Sequence, residues 1–178
     1  MVKMVYIRPI IASELEEVGL LFADPDEAGP HGFFGYRDVG WLRRDFAEGG
    51  FITEDRGRLA AVLGNPREAG EFLGEVSWHK VRTGPTCYSW NIGIGLLARA
   101  RGQGYGTRAQ RLLAEYLFAH TQVNRIVAET EVDNVAERRS LEKAGFSYEG
   151  VLRGSCYRAG QWRDMASYSI VRGDIDLS

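Results

Sequence analysis

The feature that most constrains this chain is the stretch Arg101-Gly102-Gln103-Gly104-Tyr105-Gly106-Thr107. It lies between an apolar strand-like run, Tyr88 to Leu96, and a helix-like run, Arg108 to His120. Strand, glycine loop and helix in that order present unpaired backbone N–H groups at the start of the helix. Those groups carry partial positive charge, so a phosphate or pyrophosphate completes them. Glycines at alternate positions let the main chain approach such an anion closely and take positive φ where the turn needs it.

Two common phosphate motifs do not fit. A dinucleotide fingerprint, G-x-G-x-x-G, would use Gly102 and Gly104, but its third glycine falls on Thr107. No acidic ribose ligand ends a following strand at the expected distance. A P-loop needs a Lys after its glycines, and none follows. What remains is R-x-x-G-x-G at Arg101, Gly104 and Gly106. This resembles the acetyl-CoA loop of the GNAT acetyltransferase superfamily, Q/R-x-x-G-x-G/A.

Two later motifs extend the resemblance. Asp133-Asn134 precede a helical segment, Val135 to Ala144, that stops at Gly145-Phe146. Gly145 suits a helix C′ position, with Phe146 closing back onto the helix. The run Asn134…Ser140-Leu141-Glu142-Lys143-Ala144-Gly145-Phe146 resembles the N-x-x-…-E-K-x-G-F signature of RimJ/RimL-type GNAT enzymes. Gly160-Gln161-Trp162-Arg163-Asp164, followed by alternation from Met165 to Val171, resembles the final hairpin of the same group. The resemblance is close over residues 75–172 and rests on general layout elsewhere.

The rest of the sequence suits one soluble domain spanning residues 1–178. Apolar residues make up 44% and charged residues 26%, which are ordinary globular values. No apolar run approaches the ~18 residues of a membrane span, and the opening residues Met1 to Arg8 lack a signal-peptide core. Cys87 and Cys156 have no metal-like spacing, and His31, His79 and His120 are scattered. A reduced cytoplasmic protein without a metal is expected. The net charge of -2 argues against nucleic-acid binding. Residues 1–55 carry 11 acidic and 5 basic side chains, whereas residues 56–178 carry 13 and 17. An acidic front and a basic back suit a cationic acceptor on one side and an anionic donor on the other.

Pattern places strands at Val2–Arg8, Phe51–Glu54, Leu59–Leu63, Phe72–Val81, Tyr88–Leu96, Arg125–Val132, Ser147–Arg153 and Trp162–Val171. A capping box at Ser13 to Glu16 opens a helix with Leu15, Val18 and Phe22 on one face. Ala23 to Gly40 reads as irregular loop, Trp41 to Phe46 as a short helix, and Asn65-Pro66 as a turn. The helix from Thr107 is expected to bury Leu112, Leu113, Tyr116 and Leu117. The resemblance implies an α/β (α+β) GNAT fold. It has a mixed central sheet of about six to seven strands, helices on both faces and a splayed acetyl-CoA cleft.

The resemblance also assigns roles. The backbone of Ile94, Gly95 and Leu96 would pair with the pantetheine arm of acetyl-CoA as an added strand. An N–H near Ile94 would polarise the thioester carbonyl. Arg101, Gly102, Gln103, Gly104, Tyr105, Gly106 and Thr107 would hold the pyrophosphate, with the Thr107 hydroxyl and the Arg101 side chain joining in. Asn134 would bind the pantetheine amide region. Many GNAT enzymes carry a Glu base on the strand before the loop, but Ser89, Trp90 and Asn91 stand there. Glu75, Glu129, Glu131 and His79 are the replacement candidates, acting through water. The usual Tyr position on the following helix is Leu141, and the Ser position of RimJ/RimL types is Glu137. Ser140 is therefore the candidate donor to the leaving sulfur. No cysteine sits where an acyl-enzyme would form, so direct attack in a ternary complex is expected.

Acceptor contacts are expected from the aromatic loop His31, Phe33, Phe34 and Tyr36, with Asp24, Asp26 and Glu27 attracting a cation. The implied partner is a primary amine, either a small molecule or a protein N-terminus, with no nucleic acid and no membrane. A homodimer is compatible with the chain. The alternative is a catalytically degenerate GNAT domain that binds acyl-CoA as a sensor or assembly module, and the missing Glu and Tyr favour it.

Overall fold

The computed structural model describes residues 4–66 and 70–175. Its strands are β1 (Met4–Arg8), β2 (Arg56–Gly64), β3 (Glu71–Arg82), β4 (Tyr88–Leu96), β5 (Arg125–Glu131), β6 (Ser147–Arg158) and β7 (Gln161–Val171). Its helices are α1 (Leu15–Ala23), α2 (Pro25–Ala28), α3 (Gly40–Ala47), α4 (Tyr105–His120) and α5 (Val135–Ala144). The strands form one sheet in the order β1-β2-β3-β4-β5-β7-β6. Every pair is antiparallel except β4 with β5, which α4 connects as a crossover. The result is an open, mixed α/β sheet of seven strands, within the expected range.

Two apolar clusters cover the two faces. On one face Ala109, Leu113, Leu117 and Phe118 of α4, with Leu141 and Ala144 of α5, pack on Val76, Trp78, Trp90, Ile92, Ile126 and Tyr168. On the other, Val18 and Leu21 of α1 and Leu42 of α3 pack on Ala60, Val62 and Phe72. The strands alternate between these faces, so four polar side chains of β3 and β5 fall on the second face. They are Glu75, Ser77, Glu129 and Glu131. Helices α1 and α3 cover that face only over the first strands.

Several expectations are corrected. Val2 and Lys3 lie outside the described residues. Phe51–Glu54 is not a strand: Phe51 packs its ring at 6.3 Å from Trp41 and 6.0 Å from Phe46. Thr53 closes a turn instead, donating its N–H to the Arg56 carbonyl at 2.8 Å. The Ser13 capping box is replaced by a 3-10 turn, Ala12–Glu14. There the Glu14 carboxylate accepts the Ile11 N–H at 3.0 Å and pairs with Arg8 at 2.6 Å. Within the expected loop, Asp24 caps α2 by accepting from the N–H groups of Asp26 and Glu27. The buried stripe of α4 is centred on Ala109, Leu113 and Leu117, leaving Leu112 and Tyr116 half-buried. At the end of α5, Gly145 takes φ 99°, and the Phe146 N–H reaches the Leu141 carbonyl at 3.0 Å, as the spacing predicts.

One irregularity shapes the middle of the sheet. Ala61 pairs with Gly74 but Val62 pairs with Phe72, so Leu73 is an extra residue in β3. Such a bulge bends its strand. The Leu73 carbonyl accepts the Leu97 N–H at 2.9 Å and fixes where β4 ends. Gly74 adopts φ 149°, and a Cβ there would fall on the Gly95 carbonyl oxygen. Gly74→Val is expected to lower stability by about 3 kcal/mol through strain and overpacking, read from urea unfolding. A loss under about 1 kcal/mol would mean that the bulge accepts a side chain.

Candidate active site

Pairing of β4 with β5 covers only Trp90–Ile126, Asn91–Val127 and Ile92–Ala128. Beyond Ile92 the strands part. Gly93 to Leu96 stay paired with β3, while Glu129 to Glu131 stay paired with β7. One edge of Gly93-Ile94-Gly95-Leu96 therefore has no neighbouring strand. A cleft of about 1110 Å³ opens at this split, lined by Ile94, Gly95 and Leu96, the start of α4 and one face of α5. That is large enough for an extended ligand.

The glycine loop meets the cleft at the first turn of α4. Gly104 is the N-cap at φ 79°, and Gly102 takes φ 74°. Among the described residues, no protein group accepts a hydrogen bond from the N–H groups of residues 102–107. These donors are free to meet an anion. The side chains of the loop are differently employed. Arg101 donates Nε to the Leu96 carbonyl at 3.0 Å and spends its other nitrogens on the carbonyls of Asp26 and Glu27. Gln103 folds back onto the Arg99 carbonyl at 2.9 Å. Asn134 caps α5, accepting the Glu137 N–H at 3.3 Å and donating to Thr130 Oγ1 at 3.0 Å, while lining the cleft.

Three carboxylates on the open sheet face have different surroundings. Glu75 is 5% exposed and pairs directly across the sheet with Gly95. One of its oxygens forms an ion pair with Arg58, and Oε2 is buried without a partner. Burial pushes this carboxyl up, against the opposing pull of Arg58. Arg58 is itself stacked between Phe22 and Trp41, at 4.9 and 5.5 Å from the ring centres. Glu129 is exposed at the cleft. Glu131 is buried, but Arg158 engages both its oxygens and holds its carboxyl below the usual range, so it is no free base. His79 is exposed and lies outside the cleft.

The acceptor loop is only partly at the cleft. His31 and Phe34 line it, with His31 Nδ1 3.4 Å from Glu131 Oε2. Phe33 and Tyr36 pack edge to face at 5.4 Å away from the lining, and Tyr36 is 84% exposed. His31, Glu131 and Asp133 bring ligand atoms within 4.8 Å of one another, yet Arg158 already neutralises Glu131.

On the opposite side, α5 contributes a network that spacing alone places poorly. Ser140 does face the cleft: its Oγ lies 3.1 Å from Thr107 Oγ1 and accepts Gln110 Nε2 at 3.1 Å. Glu137, one turn earlier, lines the same cleft beside Gln110. Burial raises its carboxyl to about 7. In the sequence it is marked only as the residue at the Ser position of RimJ/RimL types. Only its position beneath α4 gives it away.

The family model described as acetyltransferase (GNAT) domain matches residues 5–147. The chain belongs to the GNAT acetyltransferase family. From Bacillus subtilis (strain 168), YjcK, named a probable N-acetyltransferase, is 33% identical over 103 residues, 58% of this chain and 56% of the relative. YoaA, named an uncharacterized N-acetyltransferase, is 30% identical over 106 residues, 60% and 59% of the two chains. The chain thus spans about half the length of the curated relatives it matches. Among solved structures, Mycobacterium smegmatis RimJ in complex with CoA-disulfide superposes with a TM-score of 0.76 at 23% identity. That match covers 98% of this chain and 85% of RimJ. Vibrio cholerae spermidine N-acetyltransferase with CoA and spermine gives 0.75 at 16%, covering 96% of each. These likenesses carry the fold. No helix among the described residues is long and apolar enough to cross a membrane.

Glu75 is buried with Arg58 held against it. Removing the cation leaves an uncompensated buried charge, which costs about 3–5 kcal/mol. A carboxyl raised in the folded state loses stability as pH climbs through its folded value. Arg58→Met is therefore expected to be strongly destabilised at pH 8 and much less so at pH 5, where Glu75 can fold neutral. Urea unfolding at both pH values reads this, and an equal loss at both would disprove the charge argument.

Proposed function

We propose that this protein is an acetyl-CoA-dependent N-acetyltransferase that moves the acetyl group to a primary amine by direct attack. The observation that carries the reading is the split of β4 from β5 directly beside the unpartnered N–H groups of the α4 loop. The two features suit the two ends of one ligand. An extended pantetheine arm adds to the free edge of Ile94-Gly95-Leu96 as another strand would. A pyrophosphate completes the N–H groups of residues 102–107. In this reading the loop holds phosphate with its backbone, and Arg101 serves to fix the loop.

The acceptor amine enters from the open sheet face, between Glu75, Glu129 and the His31–Phe34 segment. Glu75 is the preferred base. Glu75 lines the cleft opposite Gly95, its Oε2 has no partner, and burial makes its carboxylate more basic than an exposed one. It draws the surplus proton from the attacking nitrogen, directly or through a water. An N–H on the free edge near Ile94 steadies the charge on the carbonyl oxygen. Ser140, on the other side, donates to the departing sulfur. The acidic lining supports a cationic amine, which accommodates a small polyamine as well as a protein N-terminus.

Calorimetric titration with acetyl-CoA tests the reading. Wild-type protein is expected to bind, and Gly104→Glu, which sets bulk and negative charge at the pyrophosphate position, to bind at least ~100-fold more weakly. A folded wild-type chain that does not bind would end the proposal. Binding with no product across a broad amine panel would leave the acyl-CoA sensor as the function.

A further inference from the structure

Ser140 stands in the middle of α5, where a serine often donates its hydrogen back to the carbonyl four residues earlier on its own helix. Among the described residues no such bond forms. The hydroxyl is drawn toward α4 instead, where it lies 3.1 Å from Thr107 Oγ1 and accepts from Gln110 Nε2 at 3.1 Å. That brings it beside the free edge of β4. A Cβ on Gly106 would stand 3.6 Å from Ser140 Oγ, 3.6 Å from Ile94 Cδ1 and 3.4 Å from Leu96 Cδ1. One glycine in the first turn of α4 thus separates this hydroxyl from the side chains of Ile94 and Leu96.

Gln110 decides where the Ser140 hydrogen can go. Its side chain is 1% exposed on α4, so its amide must find partners within the protein. Glu137 hydrogen-bonds the same amide, and the bond favours the ionised carboxyl, so the amide donates there as well. Both donors therefore face α5, and Oε1 is left buried with no partner. Turning the amide over would aim Oε1 at the Glu137 carboxyl and withdraw the donor from Ser140. A buried oxygen left unmet is costly and asks for a functional reason. Ser140 Oγ has one hydrogen and two lone pairs. Gln110 fills one lone pair and Thr107 is placed to fill the other, which leaves the hydrogen to face the cleft.

Resting on the acetyltransferase reading, in which Ser140 supplies the proton to the departing sulfur, we propose that Gln110 is the positioning residue for that transfer: it holds the Ser140 hydroxyl off its own helix and turns its hydrogen into the cleft. As the carbon–sulfur bond breaks, sulfur keeps the electron pair and takes the Ser140 hydrogen. Thr107, which lines the cleft, returns a proton to Ser140 Oγ across their 3.1 Å contact and regains one from solvent. The acceptor nitrogen loses its surplus proton on the Glu75 side. Gln110 neither gives nor takes a proton, and it does not touch the sulfur. Without it, the Ser140 hydroxyl is free to fall back on the Ala136 carbonyl, as serines within helices do.

The test is a double-mutant cycle on acetyl transfer, run with the amine that wild type turns over fastest. Gln110→Met nearly keeps the side-chain volume and removes the amide. It is expected to bind acetyl-CoA within about twofold of wild type, to keep the KM for the amine, and to lose about tenfold in kcat. In a Ser140→Ala background the same substitution is expected to change kcat by less than about twofold, because Gln110 acts through Ser140. A loss in that background as large as in wild type overturns the positioning role and leaves Gln110 a packing residue. So does a full kcat in Gln110→Met or in Ser140→Ala. Each of these leaves the acetyltransferase reading standing, whereas a wild type that fails to bind acetyl-CoA, or to acetylate any amine, overturns both. Should Gln110→Met not fold, Gln110→Leu carries the same expectations. Calorimetry of CoA against desulfo-CoA at pH 9, where more of the thiol is ionised and able to accept the Ser140 hydrogen, gives a second reading. Wild type is expected to prefer CoA and Gln110→Met to lose most of that preference, and an equal preference in both counts against the proposal.

Discussion

The parallel contact between β4 and β5 governs this molecule, because it is made and then abandoned within a few residues. A parallel pair ordinarily continues until one strand ends, since each unpaired N–H and C=O is a lost partner. Here β4 stays with β3 and β5 with β7 after Ile92. Both strands are held on their outer sides by long antiparallel partners, so the inner edges can open without unravelling the sheet. The bulge at Leu73 and the tie from its carbonyl to Leu97 set the length of the opened edge. Helix α4 then starts where the edge ends, so the strand edge and the helix start face one cleft.

Carboxylates around that cleft show how far one residue type can be tuned by its neighbours. Glu131 is buried but fully engaged by Arg158 and stays ionised. Glu75 is buried and only half engaged by Arg58, so burial wins. Glu137 has no cation at all, and desolvation sets its behaviour. Groups raised on opposite sides of a reacting centre can divide the work of accepting and supplying protons. The missing Glu on β4 and the missing Tyr on α5 therefore do not leave the cleft without titratable chemistry.

The glycine loop, the α5 stop at Gly145-Phe146 and the strand–helix order were legible in the sequence because each depends on neighbours close in the chain. Positive φ at Gly104 and Gly145 follows from local geometry that a sequence displays directly. The raised carboxyl of Glu137 was not legible, because it depends on packing against a different helix, where its partner Gln110 lies. Nor was the role of Arg101, whose side chain reaches back to carbonyls some 75 residues earlier and serves the loop as a brace. Phe51–Glu54 has the apolar start of a strand, but Phe51 is claimed by Trp41 and Phe46 and Thr53 by a turn. The Glu75 ion pair was hidden for the same reason as Glu137: Arg58 lies on another strand, and spacing carries no trace of the pairing.

The Arg101 brace has a thermodynamic consequence. The same guanidinium grips the end of β4 through Leu96 and the α2 segment through Asp26 and Glu27. The Glu27 carboxylate in turn accepts the Ala98 N–H at 2.7 Å. The stretch that leads into His31 and Phe34 is thereby tied to the glycine loop before α4. Under the proposed function these bonds join the donor side of the cleft to the acceptor side, and the two ligands' affinities are coupled through them. Whatever one ligand does to the affinity of the other, the second returns by the same factor.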